Sequence, residues 1–478
     1  MKWSKLLSEK RYNRTTNKNK STYDLRSEFQ KDYHRIIGSA SFRRLQDKTQ
    51  VFPLDKSDFI RTRLTHSLEV ASFGKSLGQT IFLRVINEGL DEEITLEVKE
   101  HICNILECAG LIHDIGNPPF GHFGEDSIRD WFKNKLNTYY LGNEKVTDLL
   151  TAEMLGDFYN FEGNAQALRL LSRLHFLVDE NGMHLTYALL NTIIKYPISS
   201  LEINKADDNI KNKKMGYFYS EKQLFKEITS ETGAIDCRYP LTYILEAADD
   251  IAYMTADIED AVKKGLLTFN TLKNSLEEYL DKAENQEQKN ILTQAIEKLN
   301  VYYNRSKENI FCIGGNFFEI NAVQNWIIYI QRILLGCATD GFVNNYKEIM
   351  EGRFKKEIIA VTPAKILAKA LKETAFKYAF CSEGILKIEL SAASIYNTLL
   401  DSLVEAIINY DTEYEMSSLN KKLVAIISDS YRTVYKINSK DKPENIKLYY
   451  RLLLVTDFIC GMTDSYAKEL YRQIKGID

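Results

Sequence analysis

Residues 110–125 read GLIHDIGNPPFGHFGE. Upstream, Ile102, Ile105, Leu106, Ala109 and Ile112 recur at helical spacing and lead into His113. Pro118 and Pro119 cannot continue that helix, because proline has no amide donor and restricts the residue before it. A loop therefore follows His113 and Asp114 directly. An imidazole and a carboxylate side by side at a helix end can chelate one divalent cation or bridge two. A bare His-Asp pair is a weak signal, since surface turns and helix termini carry it as well.

The chain holds seven histidines, at 34, 66, 101, 113, 122, 175 and 184, so their clustering is informative. His66 opens an upstream segment in which Leu68, Ala71, Leu77 and Ile81 share a helical stripe. Downstream, Leu241 to Val262 contains no Gly or Pro and puts Ile244, Ala248, Ile251, Ala252, Thr255 and Ile258 on one stripe. Asp249 lies there in the text EAADDIAY. A charged aspartate amid alanines and isoleucine is costly unless a partner or a metal compensates it. The alternative is a helix face presenting Asp249 and Asp250 to water, and this segment alone favours neither.

Composition bounds the rest. The 478 residues are 44% hydrophobic and 27% charged, an ordinary globular balance, and only 7 Pro and 23 Gly point to long helices. A net charge of −4 gives no global field for nucleic acid or membrane, so an anionic ligand must be held locally. Lys2, Lys5, Lys10, Arg11, Arg14, Lys18 and Lys20 against Glu9 make the first residues a basic segment, read as a solvated tail. No run of 18 apolar residues or signal peptide is visible, which predicts a cytoplasmic protein with no membrane partner. Seven cysteines without a C-x-x-C pair read as reduced packing residues. Helix is expected over the first half of 32–52, and a solvated helix or helical hairpin over 282–307. Residues 199–214 read as a surface excursion, 437–447 as a turn, and 311–320 and 383–390 as short strands.

In this order, FRRLQDKTQVFPL (42–54), RTRLTHSLEVA (61–71), the 110–125 stretch, FEGNAQALRLL (161–171), KYP (195–197) and EAADDIAYMTADIEDA (246–261) resemble the signatures of the HD-domain deoxyguanosine triphosphate triphosphohydrolases. The resemblance covers roughly the first 260 residues. It implies a mostly α-helical HD-domain metallohydrolase fold with a basic segment over 1–30, a catalytic core over 31–265 and a helical C-terminal elaboration over 266–478. It implies that His66, His113, Asp114 and Asp249 ligate a divalent metal. The family's last ligand is the aspartate directly after Ala in Ala-Asp-x-Ile/Leu, a register that only Asp249 fits, and Asp249, Tyr253 and Asp257 would share one helix face. Asp250 would be a supporting or solvent-facing residue.

The same resemblance gives His122 and Glu125 as a catalytic dyad. Expelling a nucleoside 5′ oxygen from phosphorus requires its protonation, and a carboxylate can orient and charge the imidazole. Arg63, Lys195 and Tyr196 would hold phosphates, Gln50 the deoxyribose, and Tyr253 would exclude a 2′ hydroxyl. Asn164 and Asp257 are further substrate contacts on the same resemblance, and Arg61 reads as a surface charge. The activity implied is hydrolysis of a dNTP, dGTP foremost, to deoxynucleoside and inorganic triphosphate by water that the metal activates. Mn or Mg would be the metal supplied, with Fe, Co, Ni or Zn also suited to two imidazoles and two carboxylates. A homo-oligomer, hexamer or tetramer, and single-stranded DNA binding are implied for some relatives. The competing readings are another HD phosphohydrolase, such as a nucleotidase or phosphodiesterase, and a nucleotide-sensing protein. P-loop, Rossmann, zincin and G-x-S-x-G motifs are absent.

Overall fold

A computed structural model describes residues 1–13, 24–54, 57, 59–176, 179–308 and 317–477. The helices that place the functional side chains begin with α1 (Glu28–Ile37), opened by a reciprocal Ser27–Gln30 capping box. The next, α2 (Arg63–Asn87), is capped in the same way by Thr62 and Thr65. Thr95 caps α3 (Leu96–Ile112), which ends at His113, and α4 (His122–Lys135) starts just beyond the proline loop. Then come α5 (Gly163–Arg169), continued by one π turn at Leu170–Leu174, and α6 (Tyr187–Ile193). The central α7 (Pro240–Lys263) has proline at its first position, where no amide bond is lost, and is buried on nearly all sides.

Glycine decides how α2 and α3 meet. A Cβ on Gly110 would stand 2.5 Å from the Ala71 Cα, so only glycine allows this approach of the two backbones. The approach brings the His66 and His113 rings to 5.2 Å between centroids.

Beyond α7 the chain forms α8 (Gln286–Glu308), α9 (Phe317–Asn344), α10 (Lys365–Ala375), α11 (Glu383–Ile408), α12 (Glu444–Cys460) and α13 (Asp464–Lys475). A π turn at Phe376–Phe380 joins α10 to α11. By length and composition α9 could cross a membrane, but Trp326, Ile330, Leu334 and Phe342 on it are buried within the protein. Among the described residues the one sheet is a hairpin, Tyr140–Leu141 against Glu144–Lys145. The fold is mostly α, with an apolar core continuous from Trp3 to Leu470. Polar ties cross it too: Arg169 on α5 pairs with Asp457 on α12 at 2.7 Å, and Tyr449 donates to Asp157 at 2.5 Å.

Three expectations need correction, and a fourth is decided between its two alternatives. Residues 383–390 open α11 and are not a strand; β-branched content suggests a strand, but Ile385, Ala392, Ile395, Tyr396 and Leu399 are buried at helical spacing. Residues 311–316 lie outside the described residues, and 317–320 begin α9. The charged 282–307 segment is one helix from Gln286 onward, and it buries Leu292, Ala295 and Leu299, where the Trp326 indole donates to the Ala295 carbonyl at 2.8 Å. The basic N-terminal segment is not simply a solvated tail. Trp3 and Leu6 are core residues, and buried Arg11 donates to Asp32 at 2.5 Å and to Glu28 at 2.9 Å. Arg14, Lys18 and Lys20 fall outside the described residues, as does Cys312.

Candidate active site

His66 comes from the first turns of α2, His113 from the end of α3 and Asp249 from mid-α7. The His66 Nε2 lies 3.2 Å and the His113 Nε2 3.4 Å from the Asp249 Oδ1. One donor atom from each residue falls within 4.8 Å of the others, a spacing that one divalent cation can span. His113 Nδ1 is 2.8 Å from the Gly110 carbonyl, which fixes the proton on that nitrogen. Its Nε2 is buried with no hydrogen-bond partner among the described residues, an atom aimed at the cluster and left free to ligate.

Asp114 stands beside these three. Arg63 donates to its Oδ2, Asn117 Nδ2 donates to its Oδ1 at 2.6 Å, and that oxygen is 3.6 Å from the His113 Nε2. Burial opposes its ionisation, but Arg63 and His113 outweigh burial and hold its carboxyl well below the usual range. Asp249 behaves alike: Lys195 donates to its Oδ2 at 2.8 Å, and against burial Lys195 and His113 keep it ionised. Burial would lower the His113 pKa, yet Asp114 and Asp249 raise it.

The His122–Glu125 pair opens α4. His122 Nδ1 is 2.9 Å from the Glu125 Oε2; the imidazole side chain is 78% exposed to the cleft, while Glu125 is buried and accepts at 2.7 Å from the Gly163 amide. The hydrogen bond to Glu125 is the largest cause of a raised His122 pKa. For Glu125, burial is outweighed by His122 and Lys214, and its pKa is lowered. The pair is thus polarised toward imidazolium and carboxylate.

Asp114, Asp249 and His122 line a cleft of about 740 Å³. Gln50, Arg63, Asn164, Lys195, Tyr196 and Tyr253 all line it, so the chain brings six of the seven expected substrate contacts to one cavity. Gln50 Oε1 is buried without a partner among the described residues, and Asn164 donates to Glu162 at 2.8 Å. Asp257, the seventh, is fully buried behind Tyr253 on the same helix face, with no hydrogen-bond partner for either oxygen among the described residues. Burial, then Asp260, raises its pKa well above the carboxylate range.

Several lining residues carry no sequence signal. Lys214, in the segment read as a surface excursion, reaches into the cleft and pairs with Glu162 at 3.0 Å. Lys372 on α10 donates to Asp250 at 2.9 Å, so Asp250 is an ion-pair partner within the cleft wall rather than a solvent-facing residue. Phe376, Phe380, Ile385, Ile388 and Glu389 complete the wall, with the Phe380 ring 6.1 Å from that of Tyr253. Their helices lie beyond the segments that resemble the family. Arg61 is not a free surface charge: it is largely buried and pairs with Glu69, Glu259 and Asp260 at 2.9, 2.5 and 2.7 Å.

Residues 63–187 match the family described as HD domain. The chain is 46% identical to a deoxyguanosinetriphosphate triphosphohydrolase-like protein of Listeria monocytogenes over 100% of both chains. It is 31% identical to a like-named protein of Synechocystis over 100% of both. With the deoxyguanosinetriphosphate triphosphohydrolase of Serratia proteamaculans it shares 32% identity, covering 95% of this chain and 94% of that one. A full-length match at these identities, over a mostly helical fold, means that the chain belongs to the deoxyguanosinetriphosphate triphosphohydrolase family.

Proposed function

We propose that the chain hydrolyses a deoxynucleoside triphosphate, dGTP foremost, to deoxynucleoside and inorganic triphosphate. The observation that carries this reading is the placement of the His122–Glu125 pair and the His66–His113–Asp249 donor set around one cleft that four cations also line, Arg63, Lys195, Lys214 and Lys372. The names of the relatives supply the substrate class.

The free Nε2 of His113 and the mixed imidazole and carboxylate donors fit a divalent cation, held by His66, His113, Asp114 and Asp249. Mn, Fe, Co, Ni or Zn suit these donors, and Mg less comfortably. Such a cation lowers the pKa of a nearby water and offsets charge on the phosphoryl oxygens. Arg63 and Lys195 hold the triphosphate by charge, beside the carboxylates they already pair with. His122, charged through Glu125, donates its Nε2 proton to the departing 5′ oxygen and so turns a poor alkoxide leaving group into an alcohol. Gln50 provides a buried polar atom for the sugar, and the Tyr253 ring leaves no room for a 2′ hydroxyl. In this reading residues 31–265 carry the chemistry and 266–478 close the cleft.

Purified protein with Mn²⁺, incubated in turn with each of the four dNTPs and with GTP, tests the reading by anion-exchange separation of products. Deoxyguanosine and intact triphosphate from dGTP, with GTP untouched, is the expected result. Monophosphate or stepwise phosphate release would replace the reading with that of a nucleotidase.

A further inference from the structure

We infer that Tyr396 and Asp464, together with Lys48, are positioning residues that act on catalysis by fixing the loop Asn117–Gly121 from which His122 projects. The inference rests on the assignment of His122 as the general acid.

The loop cannot hold itself. Pro118 and Pro119 offer no amide, and its internal backbone bonds are Asn117 N–H to the Asp114 carbonyl and Gly121 N–H to the Pro118 carbonyl, both 3.1 Å. Phe120 has φ 61° and Gly121 φ 60°, two left-handed residues in succession immediately before His122. For a phenylalanine this backbone is strained and persists only where its surroundings enforce it.

Three buried side chains do so, each on a different backbone group. The Lys48 ammonium donates to the Asn117 carbonyl at 2.6 Å, with the Cys460 carbonyl as its second acceptor at 2.7 Å. The Tyr396 hydroxyl, on α11, donates to the Pro119 carbonyl at 2.7 Å. Asp464, the first residue of α13, accepts the Phe120 amide at 2.9 Å and, on its other oxygen, the Thr49 amide and hydroxyl at 3.0 and 2.5 Å. All three residues are at most 3% exposed. The packing also makes room for one of these bonds: a Cβ on Gly124 would come within 2.3 Å of the Pro119 carbonyl oxygen and 2.5 Å of the Tyr396 hydroxyl. The Asp464 clamp also ties Thr49, next to Gln50 on the cleft wall, to the loop. An imidazole that must meet a leaving oxygen loses much of its effect when displaced by about an ångström.

Tyr396→Phe removes one hydroxyl and leaves the ring packing, so it separates positioning from folding. With Mn²⁺ and dGTP, kcat should fall about tenfold with KM within about twofold and the bound metal unchanged, as for an interaction lost mainly in the transition state. Combined with His122→Ala, the same substitution should change the residual turnover less than about twofold, because the group it positions is gone. Asp464→Asn, which cannot accept on both sides, should follow the same pattern. Wild-type kcat in Tyr396→Phe, or an equal fold-loss with and without His122, overturns the inference and leaves the proposed reaction intact. Wild-type turnover by His122→Ala alone would instead fault the acid assignment, and the inference would fall with it.

Discussion

The two halves of the chain contribute to one cleft by different means. Up to Lys263 the chain supplies donor atoms: His66, His113, Asp114 and Asp249 around one point, with His122 and Glu125 beside them. Beyond it the chain supplies walls and supports: Phe376, Phe380, Ile385 and Ile388 against the cavity, Asp457 locked to Arg169, and Tyr396 and Asp464 on the proline loop. Chemistry demands particular residue types at fixed spacing, whereas a wall demands only bulk at the right place. Changes to the first half's donor atoms should therefore abolish turnover or metal binding while sparing the fold, and changes in the second should alter substrate affinity, the positioning of His122 or stability while sparing the metal.

The largest effect is expected from Asp249→Ala, which should lose both bound metal and turnover, read by metal analysis of the purified protein. Asp250→Ala, one residue along the helix, should keep its metal, and equal loss from that variant would reverse the assigned register. His122→Ala should lower kcat by about 10²–10⁴-fold, the range for removal of a general acid, at unchanged metal content. Unchanged turnover would remove His122 from the mechanism.

In the second half, Asp457→Ala leaves the fully buried Arg169 guanidinium short of its main partner, at a cost of about 3–5 kcal/mol in denaturant unfolding. Metal binding at temperatures where the variant is folded should be untouched, and a loss of metal there would blur the division between the halves. Phe380→Ala opens the wall beside Tyr253 and should raise KM about tenfold with kcat nearly constant, as for a contact made equally in ground and transition states. A fall in kcat instead would give the wall a share of the chemistry.

The smallest effect is a pH dependence at the seam between the halves. Burial pushes the Asp157 carboxyl up from an ordinary 3.8 to about 7, where it accepts from Tyr449 and from the Tyr219 amide. A carboxyl whose pKa is higher folded than unfolded stabilises the fold when protonated, and that contribution is lost as pH rises from about 4 to about 7. Asp157→Asn should therefore gain thermal stability relative to the parent across that interval and then level off. A constant difference between the two would mean that Asp157 does not titrate there.

The same contrast explains what could be read from sequence. The helix into His113 and the stop at the prolines are local properties of spacing, and the helix does end at His113 with the proline loop after it, whereas the choice of Asp249 over Asp250 comes from the family resemblance. Lys214 and Lys372 reach the cleft through tertiary packing alone, and Tyr396 is an ordinary core position of a long helix until its hydroxyl meets Pro119. The 383–390 segment reads as a strand because its β-branched residues are judged one by one, whereas the helix is decided by burial at 385, 392, 395, 396 and 399. Arg61 reads as a surface charge because its partners Glu259 and Asp260 are some two hundred residues away.

Single-turnover hydrolysis of dGTP in H₂¹⁸O tests most directly the central claim that water attacks the α-phosphorus and the 5′ oxygen leaves with the deoxynucleoside. The account predicts one ¹⁸O on a terminal phosphate of intact triphosphate and none in deoxyguanosine. Label in deoxyguanosine, or in a released monophosphate, would contradict it.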